Sequence, residues 1–226
     1  ELVLPDPKPT WQANISDSPE KLLVYSDLFA LEFDKCLGAI SSWKVNDNEK
    51  LTQPIMDNFY RAPLDNDIGT SEADRLDPNS WFARWQSIEL DSLEREAIDF
   101  EWNETKSGLQ VTTKSAYLQQ GRVLIVSMWR YLVTQDGEVT IDVDVELANG
   151  LPPLPRIGLE LSLYDPGGSE HQEPVSWFGR GPHENYPDRK ESAHMGRYQS
   201  SVRQMHTDYI FPSENGLRCN VLEAQI

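Results

Sequence analysis

From Leu22 onward the chain alternates apolar and polar positions with a period of two. Phe29, Leu31 and Phe33 alternate with Ala30, Glu32 and Asp34, which predicts a strand with one wet face. Leu37-Gly38 marks a turn, Ala39 to Val45 reads as the return strand, and Asn46-Asp47-Asn48 closes it. Further strands are expected around Ile98, Phe100 and Trp102, and from Leu109 through Val111 to Thr113. Val123 to Val133 is apolar on both faces for much of its length, the pattern of a strand sandwiched in a core. Asp136-Gly137 predicts a two-residue hairpin loop. The strand that follows sets Val139, Ile141, Val143, Val145 and Leu147 against Thr140, Asp142, Asp144 and Glu146. Pro152, Pro153 and Pro155 end that run, Ile157, Leu159, Leu161 and Leu163 restart it, and Val175 to Phe178 is a short strand. One helix interrupts the series, from Pro78 to about Ile88. Its stripe is Trp81, Trp85 and Ile88, with Asp77 as cap and Pro78 at the first helical position. About eight strands at this spacing indicate an all-β antiparallel sandwich.

Three stretches escape the pattern. The first is Arg61 to Pro78, RAPLDNDIGTSEADRLDP. Pro63 fixes a turn there, Asp65 and Asn66 favour side-chain bonding to their own backbone, and Gly69 permits positive φ. The planar fork of Arg61 is a natural partner for Asp65 or Asp67. The second, Trp177 to Arg189, reads WFGRGPHENYPDR, and the third, Phe211 to Cys219, reads FPSENGLRC. In the second, His183-Glu184 is a candidate acid–base pair, although a His in such a turn more often holds loop backbone. Arg180, Glu184, Asp188 and Arg189 are expected to form a local ion-pair network. Residues 1–21, with Pro5, Pro7, Pro9 and Pro19, read as an extended interdomain linker ahead of a domain over 22–226. The chain begins Glu-Leu-Val-Leu-Pro without Met, as a piece of a longer protein would.

Charge narrows the function. With 20 Lys and Arg against 37 Asp and Glu, the net charge is −17. That balance opposes a nucleic-acid backbone or an anionic membrane surface as partner. It also means that a pair of carboxylates, the signature of glycoside hydrolysis, could be named almost anywhere. Asp65 and Asp67 suit opposite sides of an extended chain better than one site. The two cysteines, Cys36 and Cys219, are expected to be reduced and buried. The four histidines are scattered, and no Gly-rich phosphate loop or Ser elbow occurs. Residue types and spacing alone describe an acidic β-sandwich with two or three ordered loops.

The loops carry a resemblance. Asn58–Trp85 (NFYRAPLDNDIGTSEADRLDPNSWFARW), Trp177–Arg189 and Tyr209–Cys219 (YIFPSENGLRC) resemble, in order, the C-terminal sandwich of the large bacterial LacZ-type β-galactosidases of glycoside hydrolase family 2. The resemblance implies the fifth, small-chain domain: an antiparallel β super-sandwich related to galactose mutarotase, here truncated at the C-terminus because the family domain continues past Ile226. It implies a retaining enzyme that removes terminal β-D-galactose from lactose-like galactosides. The catalytic glutamates of that family lie on a preceding TIM barrel, so no catalytic residue is expected in this chain. Mg2+ and Na+ are implied for the full enzyme and no cofactor for this part alone. Partners would be the barrel domain, the galactoside and further copies of the chain, in the cytoplasm. Gly69, Thr70, Ser71, Glu72, Ala73, Asp74, Arg75, Leu76, Asp77 and Pro78 match a mobile loop at the mouth of the family's active site, with Gly69 as hinge. Phe211 and Pro212 match part of a sodium site built from backbone carbonyls. The alternatives are a stand-alone carbohydrate-binding or mutarotase-like module, for which His183-Glu184 is the only local acid–base pair, and a sandwich that serves subunit contacts.

Overall fold

The computed structural model describes residues 13–69, 77–164, 174–210 and 213–226. The chain divides into two compact units, Glu1–Tyr60 with Arg84–Tyr164, and Arg61–Ala83 with Asp165–Ile226.

The first unit is an antiparallel β-sandwich. One sheet runs in the order β1 (Asn14–Asp17), β2 (Lys21–Tyr25), β3 (Phe29–Asp34), β4 (Ala39–Val45), β5 (Asn48–Glu49). A second sheet is built from β7 (Glu94–Thr105), β8 (Gly108–Gln119), β9 (Arg122–Val133) and β10 (Val139–Leu147), each paired with its neighbour in sequence. A two-stranded ribbon joins β6 (Met56–Asn58) to β11 (Gly158–Glu160). The alternation of β3 holds: Phe29, Leu31 and Phe33 are buried and pack with Leu22 and Val24 of β2. Across from them stand Leu109 and Val111 of β8 and Trp129, Tyr131 and Val133 of β9. The Phe33 and Tyr131 rings meet edge to face at 5.2 Å, so one dry core is shared by the two sheets. Each large side chain so buried contributes roughly 1.5–3 kcal/mol of transfer free energy.

Several expectations shift by a residue or a face. β1 pairs with β2 from Asn14↔Tyr25 to Asp17↔Leu22, so the sheet begins inside the stretch read as linker. In β9 one face is dry (Ile125, Ser127, Trp129, Tyr131, Val133), while the other runs from buried Leu124 through half-buried Val126 and Met128 to exposed Arg130, rather than both being core. A register shift between Ala97 and Asp99 leaves Ile98 unpaired and 53% exposed, while Phe100 and Trp102 still lean on the core. The β9–β10 loop is one residue longer than predicted. The Gly137 amide donates to the Thr134 carbonyl, the Thr134 amide donates to the Glu138 carbonyl, and Gly137 takes φ +85°. That is a turn followed by a left-handed residue. Glycine is required there twice over, because a Cβ would lie 2.8 Å from the Phe29 ring. Cys36 is exposed and Cys219 half-buried, both as free thiols, so burial of the cysteines is corrected; Cys36 falls in the open β3–β4 turn.

The helix α2 covers Trp81–Ser87 and starts later than the sequence pattern implies. Ser80 Oγ accepts the Ala83 amide at 3.2 Å and is the cap, whereas the Asp77 carboxylate closes the preceding turn through the Asn79 amide at 2.8 Å. Of the expected stripe only Trp85 is buried, with its indole donating to the Pro153 carbonyl at 2.9 Å.

The second unit holds α1 (Asp65–Ile68), β12 (Pro174–Gly181), β13 (His194–Ser201), α3 (Val202–Met205) and β14 (Glu223–Gln225). β12 is central, between β13 and β14. Gly179 of β12 admits the chain leading into β14: a Cβ there would sit 2.8 Å from Val221 Cα.

Candidate functional site

The three irregular stretches meet in the second unit. In the first, Arg61 Nη1 donates to Asp67 Oδ2 at 2.6 Å and to the Ala62 carbonyl at 2.9 Å. The same Asp67 oxygen accepts the Leu64 amide at 2.7 Å. A charged pair with most of its hydrogen-bonding groups engaged therefore fixes the turn from which α1 starts, as the sequence predicts for Arg61. The Gly69 amide donates to the Asp65 carbonyl at 2.8 Å, and Gly69 itself takes φ +112°.

The second and third stretches are stitched together around Glu184, whose side chain is 10% exposed. Its carboxylate accepts from Arg189 Nη2 at 2.9 Å, from the Gly216 amide at 3.1 Å and from the Tyr209 hydroxyl. Arg189 Nη2 also donates to Tyr209 at 2.8 Å, and its guanidinium lies 4.6 Å above the Tyr186 ring. The Tyr186 hydroxyl donates to the Glu214 carbonyl at 3.0 Å, and burial, reinforced by the nearby Glu184 charge, holds its pKa above the ordinary phenol value. Asn185 is fully buried. Its amide donates to the Leu217 carbonyl, its Oδ1 accepts the Cys219 amide at 2.9 Å, and its Nδ2 turns back to the His183 carbonyl.

The expected ion-pair network forms only at Glu184–Arg189. Arg180 instead donates to the Lys190 and Ala193 carbonyls at 3.0 and 2.8 Å, because the loop it spans leaves those carbonyls without strand partners. Asp188 accepts from Asn66 Nδ2 at 3.1 Å, which ties the first stretch to the second. His183 Nε2 bonds Ser192 Oγ at 3.0 Å while Glu184 is engaged elsewhere, so the two adjacent residues are not joined as an acid–base couple. A cleft of about 500 Å³ opens where the stretches meet, between Asp65 and Asn66 on one side and Asp188, Arg189 and Tyr209 on the other.

Of the mouth-loop residues, Gly69, Asp77 and Pro78 are described; Thr70, Ser71, Glu72, Ala73, Asp74, Arg75 and Leu76 lie outside the described residues, as do Phe211 and Pro212. Among the described residues no group of three His, Cys, Asp or Glu side chains is placed to hold a metal ion, and no helix is long and apolar enough to cross a membrane.

A family model described as "Beta galactosidase small chain" matches residues 25–226. The chain belongs to the β-galactosidase small-chain family. A β-galactosidase of Vibrio cholerae serotype O1 is 45% identical over 220 residues, covering 97% of this chain and 21% of its own length. One from Psychromonas ingrahamii is 51% identical over 196 residues, 87% of this chain and 18% of its own. One from Klebsiella pneumoniae strain 342 is 43% identical over 217 residues, 95% and 20%. The chain thus spans about a fifth of the length of these β-galactosidase relatives.

One polar centre of this small-chain sandwich is not evident from the sequence pattern. In the first unit Asp57 of β6 accepts from Tyr117 Oη, Ser127 Oγ and Trp129 Nε1, each at 2.7 Å. Arg95 backs the cluster through Tyr117 Oη at 3.1 Å and Ser115 Oγ at 2.7 Å. The available signal was Ser127, a hydroxyl in the middle of the dry face of β9, which requires a partner.

Proposed function

We propose that the chain is the sandwich domain of a retaining β-galactosidase that removes terminal β-D-galactose from lactose-like galactosides. Membership of the β-galactosidase small-chain family supports this reading. The observation that carries the finer reading is the meeting of the three irregular stretches in one unit, at the foot of Gly69–Pro78. Such a base can hold a loop whose two ends are fixed. At one end Arg61 and Asp67 lock the approach, and Gly69 in positive φ gives the backbone a pivot. At the other, the Asp77 turn and the Ser80 cap tie the chain into α2. A loop so mounted can open and close over a site and thereby gate substrate entry and product release. In this reading Gly69–Pro78 shapes the mouth of the active site and the catalytic glutamates lie on a barrel elsewhere in the polypeptide. The enzyme works as a cytoplasmic homo-oligomer. In this reading the Mg2+ of the full enzyme is held by the barrel's side of the site, outside this chain. Phe211 and Pro212 contribute carbonyls to a sodium site, on resemblance alone. Against the mutarotase-like alternative stands the Glu184 carboxylate, which is largely buried and already occupied by Arg189, Tyr209 and the Gly216 amide.

Two measurements test the proposal. The 226-residue chain alone should show no galactoside hydrolysis above a blank; turnover by it would overturn the assignment of catalysis to another domain. In the complete galactosidase Gly69→Ala should change kcat by about tenfold or more through the open–closed balance, and unchanged kinetics would remove the hinge.

A further inference from the structure

The cleft at the junction of the three stretches has walls suited to one class of ligand. Its volume of about 500 Å³ is that of a small-molecule site. Asp65, Asp188 and Asp208 stand around it, a field that repels phosphates and carboxylates. Leu64, Ile210 and the two tyrosine rings add apolar wall, but a purely hydrophobic molecule would cover the three carboxylates and leave them unpaired. What remains is a neutral, hydroxyl-rich ligand: carboxylates accept from hydroxyl groups, while an amide and a guanidinium donate to them. Asn66 and Asp188 already share one bond at 3.1 Å, an arrangement that vicinal hydroxyls can bridge. Arg189 uses only Nη2 among the described residues, which leaves Nε and Nη1 as donors, and its side chain is 53% exposed. The Tyr209 ring, 38% exposed, offers a flat apolar wall. Arg189 and Tyr209 are both held by Glu184, so the wall and the donor are set before a ligand arrives.

We propose that this cleft is a pyranoside-binding subsite that takes a β-galactopyranoside through Asp65, Asn66, Asp188 and Arg189, with the sugar's apolar face on Tyr209. The choice of galactose over another pyranose rests on the proposed galactosidase function; the polyol chemistry of the cleft does not.

The test is a nitrogen–proton NMR titration of the 226-residue chain with methyl β-D-galactopyranoside. Saturable shifts at Asn66, Asp188, Arg189 and Tyr209 with a millimolar Kd are expected. Asp65→Asn and Asn66→Ala should each weaken binding by about fivefold or more, the loss of one hydrogen bond to a polar ligand. Neither residue touches the Glu184 centre, which holds the second and third stretches together; Asp65→Asn also leaves the Asn66–Asp188 tie in place. Glu223→Gln, on β14, should leave Kd unchanged. No saturation up to about 100 mM, a concentration that would reveal even very weak binding, overturns the subsite. So does binding that survives both cleft variants, or shifts of the same residues with Na+ or Ca2+ alone and none with sugar. Equal or tighter binding of methyl β-D-glucopyranoside overturns the galactoside assignment. Binding is read here without turnover, so a failure of the subsite is distinct from a failure of the mouth-loop proposal, which is read in the kinetics of the complete enzyme.

Discussion

Replacing Asp57 by Ala should destabilise the first unit by about 3–5 kcal/mol, and the figure follows from the partners of its carboxylate. Three donors converge on it at 2.7 Å, from Tyr117, Ser127 and Trp129. Hydrogen bonds to a charged group contribute roughly 1.5–3 kcal/mol each, but the three are not independent. After truncation Trp129 Nε1 keeps Ser127 Oγ at 2.9 Å, and the Ser127 hydroxyl is free to rotate. Tyr117 fares worst: it still accepts from Arg95, but its own O–H points into protein with no acceptor. A buried donor left unmet costs about 1–3 kcal/mol, and the cavity adds to that. Asp57→Asn keeps the volume and two acceptor directions, so about 1–2 kcal/mol is expected. The assay is amide hydrogen exchange of β8 and β9 against urea, which reports this unit without requiring both units to unfold together. A loss below about 1 kcal/mol for Asp57→Ala, the value of an ordinary surface change, would refute the reasoning.

Further outcomes follow from the same geometry. Burial first, and the Asp57 charge second, push the Tyr117 phenol well above its ordinary value of 10.0, and Tyr131 shifts the same way with burial again the main cause. A raised folded pKa contributes stability that is complete below the unfolded value and is lost as pH rises past it. Urea midpoints should therefore hold to about pH 10 and fall above it, and Tyr117→Phe should flatten that fall; a Tyr117 phenolate forming at its ordinary pH in native protein would contradict the placement. Gly137→Ala places a methyl against the Phe29 ring at a left-handed residue. It should lower stability by about 1–3 kcal/mol in thermal melts, and a neutral change would disprove the close approach. Arg61→Lys cannot reproduce the fork to Asp67 and Ala62. It should raise amide exchange of Leu64 and Gly69 by about tenfold, the equivalent of roughly 1.4 kcal/mol, with β8 unchanged; exchange that stays slow would show the clamp to be dispensable.

The strands were legible because one-sided burial writes itself as alternation, and β3 is the clear case. Where the chain departs from regularity, the pattern misleads in specific ways. Ile98 continues the alternation of its neighbours, yet a register shift, invisible to periodicity, turns it outward. Trp81 fits a helical stripe, but α2 begins only at Trp81 because Ser80, not Asp77, meets its first free amides. The partnership of Arg61 and Asp67 was legible because it is local and its chemistry has few alternatives. The contacts of Glu184 and Asn185 were not, since their partners lie in the third stretch and no spacing rule links them. Asp57 was hidden for the same reason, with partners on β8 and β9.

The backbone of residues 213–222 forms no strand, yet its polar groups find partners. Glu184 takes the Gly216 amide, Asn185 takes both the Leu217 carbonyl and the Cys219 amide, the Arg180 amide reaches the Cys219 carbonyl, and the Leu222 amide reaches Phe178. The second stretch is in effect a mould, and the third is cast in it. Synthesis runs from the N-terminus, so the mould leaves the ribosome before the segment that it shapes. The order of the chain thus provides these late backbone groups with partners already translated, and the later segment need carry little structural preference of its own.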